Sequence, residues 1–434
     1  MADARAQLFA LVDVNNCYVS CERAMNPRLR DVPVVVLSNN DGCAVARSNE
    51  VKALGVKMGE PWHKLQDLAR QHGIVALSSN YALYADFSNR IMTILRTYSP
   101  HVEVYSIDEA FLSLNGMGGL WDTPTAMGQD IRAKILQWTG LPVCVGIGAP
   151  TKTLAKLANH IAKKFPLFDS VCDLSTMSAA RMYWLFSRID VGEVWGVGRR
   201  IGDKLRAMGI NSVQDLKEAS PRDMRAKFGV VMERTCAEIR GISCLALEEV
   251  TPARKEIVSS KSFGAMVGSI DELGQAVTAY VTRASEKLRS QDSLCGGVHV
   301  FIQTNPFRTA DLQYSNGVTV PLIVPTDDSR VLAGAALHGL ERIFLEGFRY
   351  KKAGVMLIDL SPKSMLQGVL FDEARPREPG VKVMAALDAL NERFGRDSVK
   401  LASAGLAPRW AMRSGNKTPC YTTRWDELPI ANAR

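Results

Sequence analysis

Apolar and polar positions alternate along Val102-Glu103-Val104-Tyr105 and again along Glu109-Ala110-Phe111-Leu112-Ser113-Leu114. A period of two predicts strands, so the segment reads as a hairpin with Asp108 and Glu109 at its tip. Near the N-terminus, Gln7 to Val14 is an apolar strand that ends in Asp13 and Val14. Helices are expected over Tyr84–Tyr98 and Thr125–Trp138, a buried strand over Pro142–Gly148, and a lysine-rich amphipathic helix over Thr151–Lys163. Strand, helices, hairpin, helix and strand make a split βαβ-type sheet with helices on one face. The lysines Lys152, Lys156 and Lys164 read as its solvated side.

Later in the chain the pattern changes twice. Val194-Trp195-Gly196-Val197-Gly198-Arg199-Arg200 with Lys204 and the downstream Gly209-Ile210 forms a helix-hairpin-helix signature. Its glycines allow close backbone approach and the following helix start offers N–H groups to a phosphate. From about Ile257 to Leu360 the order is βαββαβ, with Ser269 and Glu272 placed as a capping box. A short helix is expected over Asp388–Phe394.

Composition narrows the class. The chain has 434 residues, a net charge of +8 and a pI near 9.0, which permits a polyanionic partner. No apolar run reaches the ~18 residues of a membrane span, and Met1-Ala2-Asp3-Ala4-Arg5 does not begin a signal peptide. A cytoplasmic protein with no membrane association is expected. Nine scattered Cys and six His argue against a disulfide framework or a structural zinc site.

Asp13, Asp108 and Glu109 carry the chemistry. A lone Asp-Glu pair is an ordinary acidic turn, but an apolar strand seldom ends in a carboxylate without a cation or water to face. Three carboxylates suit Mg²⁺, and two such ions about 3.5–4 Å apart serve phosphoryl or nucleotidyl transfer. With Tyr18 five residues after Asp13, and with the run Ser106-Ile107-Asp108-Glu109-Ala110-Phe111, the chain resembles the Y-family translesion DNA polymerases, and within them the UmuC-type branch.

That resemblance implies an α/β multidomain right-hand architecture. The α+β palm would span residues 1–16 and 84–172, small fingers 17–83, a helical thumb 173–245, the βαββαβ little finger 254–360 and a tail 361–434. It implies error-prone translesion synthesis in the SOS response, with two Mg²⁺ ions held by Asp13, Asp108, Glu109 and the Val14 carbonyl. Tyr18 would be the steric gate against a ribose 2′-hydroxyl, with Cys17 departing from the aromatic that many relatives carry beside it. Arg47, Lys52 and Lys163 would reach the triphosphate of the incoming dNTP. Gly196, Gly198, Arg199, Arg200 and Lys204 would hold primer-template DNA. Gln367, Leu370 and Phe371 match a peptide for the β sliding clamp; the segments Trp410–Arg413 and Tyr421–Arg424 resemble a tail that holds a UmuD′-type dimer. RecA completes the implied partners. Two other classes share parts of the pattern: a nucleotide cyclase, which has no need of the downstream DNA-binding pieces, and a catalytically silent DNA-binding scaffold, which has no need of the three carboxylates.

Overall fold

The computed structural model describes residues 7–117, 119–250, 252–365, 377–406 and 409–430. The chain divides into two compact units, residues 1–38, 43–251 and 416–434 forming the first and residues 39–42 and 252–415 the second. In the first unit the order is β1 (Phe9–Val14), α1 (Cys17–Met25), β2 (Val34–Leu37), β3 (Ala44–Arg47), α2 (Asn49–Ala53), α3 (Trp62–His72), β4 (Val75–Ser78) and α4 (Tyr81–Arg96). It continues with β5 (Val102–Val104), β6 (Glu109–Ser113), α5 (Pro124–Thr139), β7 (Val143–Gly148), α6 (Lys152–Lys164) and β8 (Val171–Asp173). Five helices close it: α7 (Ala179–Phe186), α8 (Arg199–Ala207), α9 (Val213–Glu218), α10 (Pro221–Phe228) and α11 (Val230–Ile239).

β1 is buried along its whole length because it lies at the centre of a five-stranded sheet ordered β5-β6-β1-β7-β8. It runs antiparallel to both neighbours, while β7 and β8 are parallel. Strand alternation divides the sheet's side chains into two sets. Ala10, Val12, Leu112, Val145 and Ile147 share a core with Tyr84, Ile91 and Leu95 of α4 and with Ile131 and Ile135 of α5. Phe9, Leu11 and Phe111 face the other way, against Ala155 of α6. The expectation of helices on one face therefore holds for α4 and α5 and fails for α6, which covers the opposite face.

The approach of α6 depends on two glycines. A Cβ on Gly146 would stand 2.0 Å from the Asn159 amide nitrogen and 2.4 Å from the Ala155 carbonyl oxygen, and one on Gly148 would stand 2.2 Å from the Ala155 nitrogen. Backbone cannot yield as a flexible side chain can, so Gly146→Ala should cost about 3 kcal/mol or more. A denaturation midpoint indistinguishable from wild type would show that helix and strand separate freely. On its far side α6 buries Leu154, Leu157 and Ile161 against Leu185, Phe186, Leu205 and Met232 of the helical segment α7–α11. The helix is thus gripped from both sides. Strands β3, β2 and β4 make a separate small sheet, with its own core of Val35, Leu37, Val51 and Leu65.

The second unit has the expected βαββαβ order: β9 (Ile257–Val267), α12 (Ile270–Ser290), β10 (Ser293–Thr304), β11 (Ser315–Thr326), α13 (Ser329–Ile343) and β12 (Tyr350–Pro362). Its sheet is ordered β11-β10-β12-β9 and is antiparallel throughout. The hydroxyl of Ser269 caps α12 by accepting from the Glu272 amide. β10 starts earlier than alternation suggests because a register shift between Cys295 and Gly297 interrupts the pattern. A final helix, α14 (Arg377–Phe394), is much longer than the expected Asp388–Phe394. Pro379 and Gly380 conceal its start in the sequence, although proline is tolerated in a first helical turn.

Two aromatics of the tail are packed within the units they belong to. Trp410 is buried in the second unit against Phe263 and Tyr280, and Tyr421 packs on the core of the first. These aromatics are internal anchors. The clamp peptide Gln367–Phe371 lies outside the described residues. Among the described residues no helix is long and apolar enough to cross a membrane.

Candidate active site

Register brings the first two carboxylates together. β1 and β6 pair so that Asp13 stands opposite Glu109, and the Val14 amide donates to the Asp108 carbonyl at 2.9 Å. Asp13 shares the strand face of Phe9 and Leu11, the face that α6 covers. Two lysines of that helix meet the carboxylates. Lys163 Nζ lies 2.5 Å from Asp13 Oδ1, and Lys156 Nζ lies 3.1 Å from Glu109 Oε2. Burial pushes the Asp13 carboxyl up to about 7, with Glu109 adding to the shift and Lys163 opposing it.

Asp108 is oriented by its own turn. The Ser106 hydroxyl donates to Asp108 Oδ1 at 2.6 Å and accepts from the Glu109 amide at 3.0 Å. As they stand, the three carboxylates turn to separate partners, and among the described residues no three His, Cys, Asp or Glu side chains close on one point. The donors nevertheless fit a hard divalent cation. They are all oxygen, two of them are paired across one register position, and each of those two faces a lysine ammonium group. A cavity of about 180 Å³ opens beside Asp13, Glu109, Lys156, Lys163 and Trp195.

Tyr18 stands one residue into α1, half-buried, with its ring stacked on Tyr84 at 4.3 Å and 11° and edge-on to Tyr81 at 5.9 Å. Burial pushes its phenol up to about 12, so the hydroxyl stays protonated across the physiological range. Cys17 beside it is buried. Lys52 Nζ donates to Asn16 Oδ1 at 2.5 Å, just before α1. Its pKa is lowered by burial and then by the charges of Arg47 and Lys163. The three residues expected at a triphosphate thus share one positive field, which an anion would relieve. Arg47 also donates to the Val56 carbonyl at 2.6 Å.

Sequence reasoning misjudged the remaining lysines of α6. Lys152 is buried, 4% exposed, and reaches both carboxylate oxygens of Glu103 at 2.6 and 2.8 Å and the Ala246 carbonyl at 3.2 Å. Lys156 lies over the rings of Tyr105 and Trp195 at 4.5 and 5.0 Å. Both follow from the two-sided burial of α6, which a one-sided amphipathic reading does not anticipate. Lys164 remains exposed.

The hairpin before α8 takes its bend at Gly196, where φ is +87°. Gly198 caps α8 in an extended conformation, with open space where its side chain would be. Arg199, Arg200 and Lys204 are exposed. On the N-terminal side the motif has only the single 3₁₀ turn Val191–Glu193 in place of a full helix.

Residues 12–160 match the model described as the impB/mucB/samB family, residues 254–370 match that family's C-terminal domain, and residues 381–431 match a domain of unknown function. Protein UmuC of Salmonella typhimurium (strain LT2) is 48% identical over 422 residues, 97% of this chain and 99% of its own. Protein ImpB of Salmonella typhimurium is 45% identical over 424 residues, 98% of this chain and 99% of its own. Among solved structures, a Y-family DNA polymerase chimera has a similar fold, with a TM-score of 0.65 at 20% identity over 82% of this chain and 99% of that one.

Proposed function

The chain belongs to the impB/mucB/samB family, the UmuC-type branch of the Y-family DNA polymerases, and on that footing we propose that it copies past damaged template bases during the SOS response, by two-Mg²⁺ nucleotidyl transfer. It is a DNA-directed DNA polymerase, and the proposal concerns how its residues act. The observation that carries it is the pairing of Asp13 with Glu109 across one register position, each facing a lysine of α6.

In this reading Asp13, Asp108, Glu109 and the Val14 carbonyl hold two Mg²⁺ ions. When bound, the ions would acidify the primer 3′-hydroxyl and steady the departing pyrophosphate. Lys163, which pairs with Asp13 here, would join Lys52 and Arg47 in holding the triphosphate, where ammonium and guanidinium groups bind oxygen anions well. Tyr18 closes the space that a ribose 2′-hydroxyl would need. Gly196, Gly198, Arg199, Arg200 and Lys204 grip the duplex backbone without reading sequence. Residues 1–16 and 84–172 serve as palm, 17–83 as fingers, 173–245 as thumb, 254–360 as little finger and 361–434 as tail. A UmuD′-type dimer, RecA and the β clamp, the last through Gln367, Leu370 and Phe371, bring the enzyme to the lesion.

A titration tests the metal assignment. A proton and Mg²⁺ compete for Asp13, whose carboxyl is raised to about 7. Apparent Mg²⁺ affinity in primer extension should therefore be nearly flat above pH 7 and fall by about tenfold per pH unit below it. An affinity that stays constant from pH 8 to pH 6 would remove Asp13 from the metal site.

A further inference from the structure

Glu22 is 1% exposed and follows Tyr18 by four residues, so the two side chains leave α1 on the same face. Tyr84, which is fully buried, engages both. Its ring stacks on Tyr18 and its hydroxyl donates to Glu22 Oε1 at 2.7 Å. The same carboxylate oxygen accepts a second hydroxyl, that of Thr418, at 3.1 Å. The other oxygen of Glu22 is buried and has no hydrogen-bond partner. One atom therefore holds two hydroxyls from opposite ends of the chain.

Thr418 is itself fixed. Asn80, which is fully buried and caps α4 one turn before Tyr84, donates from Nδ2 to the Thr418 carbonyl at 3.0 Å, to Thr418 Oγ1 at 3.1 Å and to the Pro419 carbonyl at 3.1 Å. Just upstream, the Ser78 amide donates to the Asn416 carbonyl and the Asn416 amide donates to Ser78 Oγ, both at 3.0 Å. The direction of donation runs without a break from Asn80 to the Thr418 hydroxyl and on to Glu22. Burial raises the Glu22 carboxyl, and the hydroxyls of Tyr84 and Thr418 oppose that shift.

We infer that the C-terminal segment takes part in sugar selection: Thr418, acting through Glu22 and Tyr84, is a positioning residue for Tyr18. The inference rests on the reading of Tyr18 as the sugar gate. A gating ring works by excluding an oxygen atom, so displacement by a fraction of an ångström admits it. Tyr84 supports the face of that ring, and the location of its own hydroxyl sets its tilt. Part of the segment matched to a domain of unknown function thereby gains a specific task.

The test compares kcat/KM for dNTP and rNTP insertion by the full-length chain on primer-template DNA with Mg²⁺, under the partner conditions in which wild type extends. Thr418→Val should lower the dNTP-to-rNTP ratio by about tenfold, chiefly through a lower KM for rNTP, with dNTP insertion nearly unchanged. Thr418→Ser, which keeps the hydroxyl, should restore the wild-type ratio. Tyr84→Phe should act in the same direction as Thr418→Val, and Tyr18→Ala sets the limit of lost selection. If Tyr18→Ala collapses the ratio while Thr418→Val and Tyr84→Phe preserve it, or slow both sugars equally, the positioning role is overturned and the gate stands. If Tyr18→Ala leaves the ratio intact, the gate reading falls, and this inference with it.

Discussion

Asp108→Ala is expected to reduce single-nucleotide insertion by on the order of a thousandfold or more, equivalent to about 4 kcal/mol of lost transition-state stabilisation, while the protein remains folded. The two halves of that expectation have separate grounds. Asp108 is partly exposed and its carboxylate is engaged by the Ser106 hydroxyl, so truncation leaves no buried charge behind. Its backbone carbonyl still accepts from the Val14 amide, and the pairing of β1 with β6 is retained. Asp13 would be a poorer choice, because it is buried in the central strand and pairs with Lys163, so its removal disturbs packing as well as chemistry. Insertion rates measured together with a melting midpoint separate the two effects. Activity within tenfold of wild type would exclude Asp108 from the metal site.

The largest effect on stability is expected at Lys152. Its ammonium and the Glu103 carboxylate are 5% and 7% exposed, and the pair joins three segments. Lys152 opens α6, Glu103 lies in the edge strand β5, and the backbone after α11 completes the site, Ala246 accepting from Lys152 and the Glu248 amide donating to Glu103 at 2.7 Å. Lys152 Nζ also sits 4.9 Å from the centre of the Phe111 ring. Lys152→Met leaves a buried carboxylate with one backbone donor, at a cost of about 3–5 kcal/mol. The double change Lys152→Met with Glu103→Leu should recover most of that loss, because two apolar side chains beside Phe111 leave no charge to solvate. A double-mutant cycle in chemical denaturation measures the coupling. Additive losses would mean that the two groups are separately solvated.

Lys152 also marks where the sequence ceases to be legible. Periodicity along residues 151–163 identifies the helix correctly, because Leu154, Leu157 and Ile161 recur at helical spacing. It says nothing of the second buried face, which is built from Ala155, Asn159 and the close approach to Gly146 and Gly148. Small residues and a lysine do not register as a hydrophobic stripe, although a glycine-lined strand makes them one side of an interface. The three carboxylates were legible because polar groups at strand ends stand out against apolar runs. Their pairing was less so: strand alternation gives a face, whereas register depends on which residues meet across the sheet. The contacts of Glu22 were invisible for a different reason, since Tyr84 and Thr418 lie 62 and 396 positions away. No local pattern links such residues. Trp410 and Tyr421 stand out in the sequence as tail aromatics, but the cores they pack on, one in each unit, cannot be read from their neighbours along the chain.

The most direct test of the polymerase reading is Mg²⁺-dependent extension of a primer past an abasic site by the full-length chain, in the presence of a UmuD′-type dimer, activated RecA and clamp. A lesion without a base removes template pairing from the reaction. The account predicts products that continue beyond the lesion, absent when Mg²⁺ is chelated. A complete block at the lesion under every combination of partners, on templates whose undamaged counterparts are extended, would contradict it.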